Sequence, residues 1–169
     1  MVILIEHDFD QLDVQATREA LEAGGATVHL VGPIQGQAYA SRGGQTTAVA
    51  DHAASAVRAA DVDAVVIPGG YAADKIRLRH AMVDLVRDAI DAGKPVAAMD
   101  HGASVLINAK ALAGRQVTCW PSIAVDVKNA GGRYVDRPVV EDGNVITSRK
   151  SDDLPFFTDA LVRQLLARP

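Results

Sequence analysis

Short unbroken apolar runs alternate with amphipathic stretches along most of this chain. Residues 2–5, 27–31, 64–67 and 95–99 are continuous apolar or near-apolar segments, the pattern of strands buried on both faces. The stretches between them carry helical spacing. A helix is predicted from about Gln11, with Leu12, Ala16, Ala20 and Leu21 on one face and Gly24-Gly25 as its stop. A short helix is expected to start in residues 51–55 and to end before Asp61. A long one is expected over residues 76–92, with Leu78, Met82, Leu85, Val86, Ala89 and Ile90 on its apolar side and Gly93 as its cap. Residues 35–50, rich in glycine and in the β-branched Thr46, Thr47 and Val49, read as two short antiparallel strands.

The last third continues in the same way. Residues 103–112 have helical composition, 116–120 read as a strand and 122–129 as a helix ended by Gly131-Gly132. Residues 138–147 form a hairpin pattern around Asp142-Gly143. Ser151-Asp152-Asp153 opens a final helix over 154–166. Strand and helix alternate four times with short connections, which predicts a single α/β domain over residues 1–169. Its sheet is doubly wound and mostly parallel, with helices on both faces in three layers.

Composition narrows the function classes. The 169 residues carry a net charge of −4 and no cluster of Lys or Arg with interleaved aromatics, so nucleic acid is not an expected partner. The opening apolar run is too short for a secretory signal, and no run approaches the ~20 residues of a membrane span. A cytoplasmic protein that does not engage membranes is the expectation. Cys119 is the only cysteine, which leaves no internal disulfide, and it reads as a buried core residue. His7, His29, His52 and His80 show no paired ligand spacing, so no metal is expected. Gly69-Gly70 lacks the surrounding glycine pattern of a phosphate loop, and no cofactor is expected.

The stretch 95–104, Pro-Val-Ala-Ala-Met-Asp-His-Gly-Ala-Ser, concentrates the chemistry. A buried strand that turns sharply into a helix displays its turn residue over free backbone N–H groups and the positive end of the helix dipole. Asp100 stands there, with His101 beside it. In a doubly wound sheet, ligands bind outside the carboxyl ends of the strands. Residues 6–10, 69–74 and 100–101 are the polar segments at those ends and are expected to converge.

These motifs resemble the PfpI/ThiJ family of the class I glutamine amidotransferase-like, flavodoxin-like fold, along nearly the whole chain. The family's elbow pattern A-x-x-C-H-G is Ala97-Ala98-Met99-Asp100-His101-Gly102 here, and its Gly-Gly loop is Ile67-Pro68-Gly69-Gly70-Tyr71. Thr118, Trp120, Pro121 and Asn129-Ala130-Gly131 match the segment after the elbow helix. Asp142-Gly143-Asn144, Thr147-Ser148-Arg149 and Asp153-Leu154-Pro155-Phe156 match the C-terminal signature.

The resemblance implies a nucleophile position at Asp100, where the family has cysteine, and an adjacent histidine at His101. It implies an acid contacting the nucleophile at Asp10 and an acid completing a triad from a neighbouring subunit at Asp74. Gly70 and the backbone after position 100 would supply oxyanion-binding N–H groups, with Gly69, Tyr71 and Trp120 lining the site. It further implies a homo-oligomer with a small-molecule substrate or ligand. Activities described for the family include protease, glyoxalase, deglycase, isonitrile hydratase and chaperone. Without the cysteine, thiolate routes are closed. Asp100 then acts as a carboxylate nucleophile or as an acid–base group with His101, Asp10 and Asp74. Alternatively, it mimics the sulfinate of an over-oxidised cysteine in a catalytically silent, stress-related chaperone or small-molecule binder. Each residue also has a plainer role: Asp10 and Asp74 as helix caps, His101 as a structural partner, Trp120 as core.

Overall fold

The computed structural model describes residues 1–167. In chain order it contains β1 (Val2–Leu4), α1 (Gln11–Ala23), β2 (His29–Gly32), β3 (Ala38–Ala40), β4 (Thr47–Val49), β5 (His52–Ala53), β6 (Val65–Ile67), α2 (Ala72–Ile76), α3 (His80–Asp91), β7 (Val96–Met99) and α4 (Ala103–Asn108). There follow β8 (Gln116–Val117), α5 (Ala124–Asn129), β9 (Arg133–Tyr134), β10 (Val139–Asp142), β11 (Val145–Ser148) and α6 (Leu154–Leu166). A seven-stranded sheet has the order β10-β11-β7-β6-β1-β2-β5. All its pairings are parallel except β10 with β11.

The central strands are apolar on both faces because both are covered. Every residue of β1, β6 and β7 is buried. Helices α1 and α6 pack together, with α6 against β10 and β11, while α2, α3 and α4 form a second group with α3 and α4 on β7. Each fully buried Val, Leu or Ile contributes about 1.5–3 kcal/mol relative to exposure. This places the core along the middle of the sheet. The expected antiparallel pair appears as β3 and β4. In the β10–β11 hairpin, Asp142 pairs with Val145, so the two-residue turn is Gly143-Asn144, with Gly143 at φ 61°.

Several elements differ from the sequence expectation. The face α1 buries is Asp13, Val14, Thr17 and Leu21, whereas Leu12 is 57 % exposed. Two polar residues, Asp13 and Thr17, lie on the inward stripe and disguise it. The helix expected over 76–92 begins only at His80, as α3, and the shorter α2 before it ends at Ile76. They are separated at Leu78 and Arg79, where Arg79 is extended (φ −99°, ψ 99°). Arg79 reaches the carboxylate of Glu6, which lies buried at the end of β1. An unpaired buried carboxylate would cost more than an interrupted helix.

No α-helix forms between residues 51 and 61, where Ala54–Ala56 and Ala59–Asp61 are only 3-10 turns. The Asp51 carboxylate accepts the Leu30 N–H, and His52-Ala53 pair with Val31-Gly32 as an edge strand. The helix after the elbow ends at Asn108 because Lys110 takes a left-handed conformation (φ 57°). The strand predicted over 116–120 is confined to Gln116–Val117, which pairs with β9 outside the main sheet. The helix expected over 122–129 begins as a 3-10 turn at Pro121–Ile123 and becomes α-helical at Ala124.

Candidate active site

The elbow forms where β7 meets α4. Met99 is extended, Asp100 is left-handed (φ 57°), and a 3-10 turn over Asp100–Gly102 leads into α4. Asp is one of the few non-glycine residues that take this conformation readily. Gly102 is required by close packing, since a Cβ there would lie 2.8 Å from the Ile67 carbonyl oxygen. The elbow therefore seats directly on the end of β6.

The three polar segments do converge. Phe9 bridges to both Ser41 and Gly70, and Asp10 N–H donates to the Gly69 carbonyl. Gly70 is left-handed (φ 84°) and a Cβ on it would strike the backbone of Asp8 and Asp10. The Gly70 N–H donates to Asp100 Oδ2 at 3.0 Å, and His101 Nδ1 lies 2.9 Å from the same oxygen. Burial opposes ionisation of Asp100. The hydrogen bonds from the His101 side chain and from the Gly70 and His101 backbone outweigh it and hold the carboxyl below the usual carboxylate range. The same bond to Asp100 raises His101 above 6.5 against the opposing effect of burial, helped by the fields of Asp100 and Asp74.

The sequence missed one acid. Asp10 Oδ1 accepts the N–H groups of Leu12 and Asp13 and caps α1, so this oxygen serves the helix. The carboxylate that reaches the elbow is Asp13, one turn further on. It is buried, its Oδ2 accepts the Gly69 N–H at 3.0 Å, and its Oδ1 accepts the Ser151 hydroxyl at 2.7 Å. The space above Gly69 is closed by Asp13 Oδ2 and by the Cβ and Oδ2 of Asp100 together. Burial pushes the Asp13 carboxyl up to about 7. The Ser151 and Gly69 bonds work against this shift, and the charges of Asp10 and Asp100 work with it. The available signal was an acid on the same helical stripe as Val14, Thr17 and Leu21.

The remaining residues frame this centre. Asp74 is exposed within α2, makes no side-chain cap, and acts on His101 through its field. Tyr71 is 49 % exposed with its ring 5.6 Å from that of His101. The Trp120 ring, 38 % exposed, stacks at 6.1 Å from His101, and the Trp120 N–H donates to the Asp100 carbonyl. Trp120 is therefore beside the elbow rather than in the core. Cys119 is buried, and burial pushes its thiol up to about 12, so it supplies no thiolate. Among the described residues, no group of three or more His, Cys, Asp or Glu side chains could hold a metal ion. No helix among them is long and apolar enough to cross a membrane.

Comparison with known proteins gives the chain its family and fold. Residues 1–164 match the DJ-1/PfpI family. The chain is 36 % identical to a deglycase of Pyrococcus abyssi, with 98 % of each chain covered. It is 32 % identical to protein/nucleic acid deglycase 2 of Escherichia coli, covering 98 % of this chain and 96 % of the relative. A two-domain protein of Anabaena variabilis, with DJ-1/ThiJ/PfpI-like and ferritin-like domains, superposes with a TM-score of 0.95 at 38 % identity. The match covers 97 % of this chain and 47 % of that one, so the chain spans about half of that two-domain protein. The mostly parallel sheet with helices on both faces is thus the flavodoxin-like fold of these structures. From residue 1 to residue 164, this chain belongs to the DJ-1/PfpI family.

Proposed function

We propose that this protein is a hydrolase of deglycase type, acting on small carbonyl-derived substrates by general acid–base catalysis rather than through a covalent intermediate. The observation that carries this reading is the 2.9 Å contact between Asp100 Oδ2 and His101 Nδ1. A carboxylate on Nδ1 fixes the imidazole tautomer, raises its basicity and leaves Nε2 to take a proton. In this scheme His101 Nε2 removes a proton from water, the hydroxide adds to the electrophilic carbon, and the imidazolium returns the proton to the leaving group. Asp100 remains ionised throughout. Asp13, whose carboxyl burial pushes up to about 7, is a second proton store beside the pair. The deglycase names of relatives support the substrate class. We also propose a homo-oligomer with the elbow near a subunit contact, supported by the exposed Tyr71 and Trp120 rings flanking it.

A second reading rests on the Gly70 N–H. The resemblance makes this group an oxyanion donor, yet it already serves Asp100 Oδ2. That arrangement suits a catalytically silent member in which the carboxylate stands in for an oxidised cysteine. One paired experiment separates the two: turnover of ester, peptide, isonitrile and carbonyl-adduct substrates by the native chain, Asp100→Asn, His101→Gln and Asp100→Cys. Acid–base hydrolysis predicts native turnover that falls about 10²–10⁴-fold in Asp100→Asn and His101→Gln. It also predicts that no ¹⁸O from labelled water enters Asp100 in a single turnover. Turnover confined to Asp100→Cys would establish the silent reading instead.

A further inference from the structure

Arg42 stands at the mouth of the elbow and makes no ion pair among the described residues. It is exposed, directly after β3, and its backbone N–H donates to the Phe9 carbonyl, which ties it to the loop carrying Asp8 and Asp10. Its guanidinium lies over the Tyr71 ring, 5.0 Å from the centroid, and the Tyr71 ring is 5.6 Å from that of His101. The Arg42 charge is felt at His101. Other arginines around the same strand ends are paired: Arg79 with Glu6, and Arg149 with Asp136 and Asp153. Asp74, whose field also reaches His101, makes no ion pair with Arg42 among the described residues. Stacking on tyrosine orients the guanidinium plane while leaving its edge donors for a ligand.

Arg42 is the group on this rim suited to an anion. Asp100 and His101 bond each other, Asp13 lies buried with bonds to Gly69 and Ser151, and the carboxylate of Asp74 stands exposed on α2. Arg42 brings a positive charge to this rim and makes no ion pair among the described residues. A fork of N–H donors suits a planar or tetrahedral oxyanion.

We infer that Arg42 anchors the anionic group of the substrate, so that the site takes short carbonyl compounds bearing a carboxylate or phosphate in preference to neutral ones. The substrate class rests on the hydrolase reading above, but the anchoring itself is a binding property that survives if turnover is absent. Recognition is shared by carboxylate and phosphate chemistry, since both offer two oxygens to the guanidinium.

The test is equilibrium binding to the full chain, read by calorimetry and by the His101 ring proton shifts, with glyoxylate, inorganic phosphate and neutral methylglyoxal as probes. Binding of at least one anion should weaken about tenfold or more in Arg42→Gln and recover in part in Arg42→Lys, while methylglyoxal binding stays unchanged. The anion that responds identifies the group as carboxylate or phosphate. Undiminished anion binding in Arg42→Gln, or equal loss for methylglyoxal, would overturn the assignment. Absence of turnover with intact, Arg42-dependent anion binding would refute the hydrolase reading and leave the anchor standing.

Discussion

Asp13 has two hydrogen bonds and almost no contact with solvent, and its carboxyl is pushed up to about 7. Because the folded value lies above the unfolded one near 3.8, the folded state holds the proton more tightly. Its contribution to stability is complete below about pH 4 and is lost as pH rises through 7. Asp13→Asn reproduces the protonated group, accepting from Gly69 and donating to Ser151. Its unfolding free energy relative to that of the native chain, read from melting curves, should therefore rise between pH 4 and pH 7 by on the order of a few kcal/mol; a flat difference would refute the burial argument. His101 is raised above 6.5 by its bond to Asp100, so the stability this pair contributes is present below about 6.5 and fades as pH climbs through the folded value. The hydrolytic rate should rise over that same upper window as His101 loses its proton. Asp100→Asn should move any residual inflection down towards 6.5, and Asp74→Asn should move it by a smaller step; pH–rate profiles check both. Asp100 and His101 were legible in the sequence because the elbow pattern is contiguous. Asp13 was not, because choosing it over Asp10 depends on which turn of α1 faces β6, and Asp10 satisfies the capping pattern so well.

At the level of elements, the strands were the most legible part. Segments such as Val65–Ile67 are apolar on both faces and bounded by turn residues, so periodicity leaves few alternatives. The helices were read less well where a distant partner intervenes. Nothing local at Leu78-Arg79 announces a break; the break follows from Glu6, more than seventy residues away, needing a cation. The edge strand at His52-Ala53 likewise depends on Val31 and Gly32 offering an open sheet edge. The elbow itself depends on backbone contact. Gly102→Ala places a methyl against the carbonyls of Ile67 and Pro68 and against the Ile67 side chain. It should destabilise the chain by about 1–3 kcal/mol and disturb the Asp100–His101 contact, seen as a shifted His101 ring resonance. A variant with native stability and an unshifted resonance would show that the elbow seats more loosely than the contacts require.

The whole molecule assembles its site from loops that are far apart in sequence. Position 10 meets 69, 13 meets 151, and 70 meets 100. A parallel sheet makes this possible because it gathers the carboxyl ends of its strands on one side. The meeting of these loops was therefore readable from topology alone, before any side chain was placed. What a single chain leaves open is a flank that carries Tyr71, Arg42 and Trp120 on its surface. If a second copy covers it, light scattering will report an assembly larger than 17.8 kDa, and tryptophan fluorescence will shift to the red on dilution as Trp120 becomes wet. A monomer whose emission is independent of concentration would exclude that arrangement.

The left-handed backbone at Asp100 also bears on how such a chain changes over generations. A side chain other than Asn, Asp or Gly in this conformation costs roughly 1 kcal/mol, and a reactive residue held there draws on the stability of the rest of the fold. Aspartate relaxes that local tension and gains bonds to Gly70 and His101. The step from cysteine to aspartate is thus downhill for folding, and the return is uphill. Asp100→Cys should melt about 2–4 °C or more below the native chain. On folding stability alone, this backbone favours aspartate over cysteine, a preference that only a demand for thiol chemistry would outweigh.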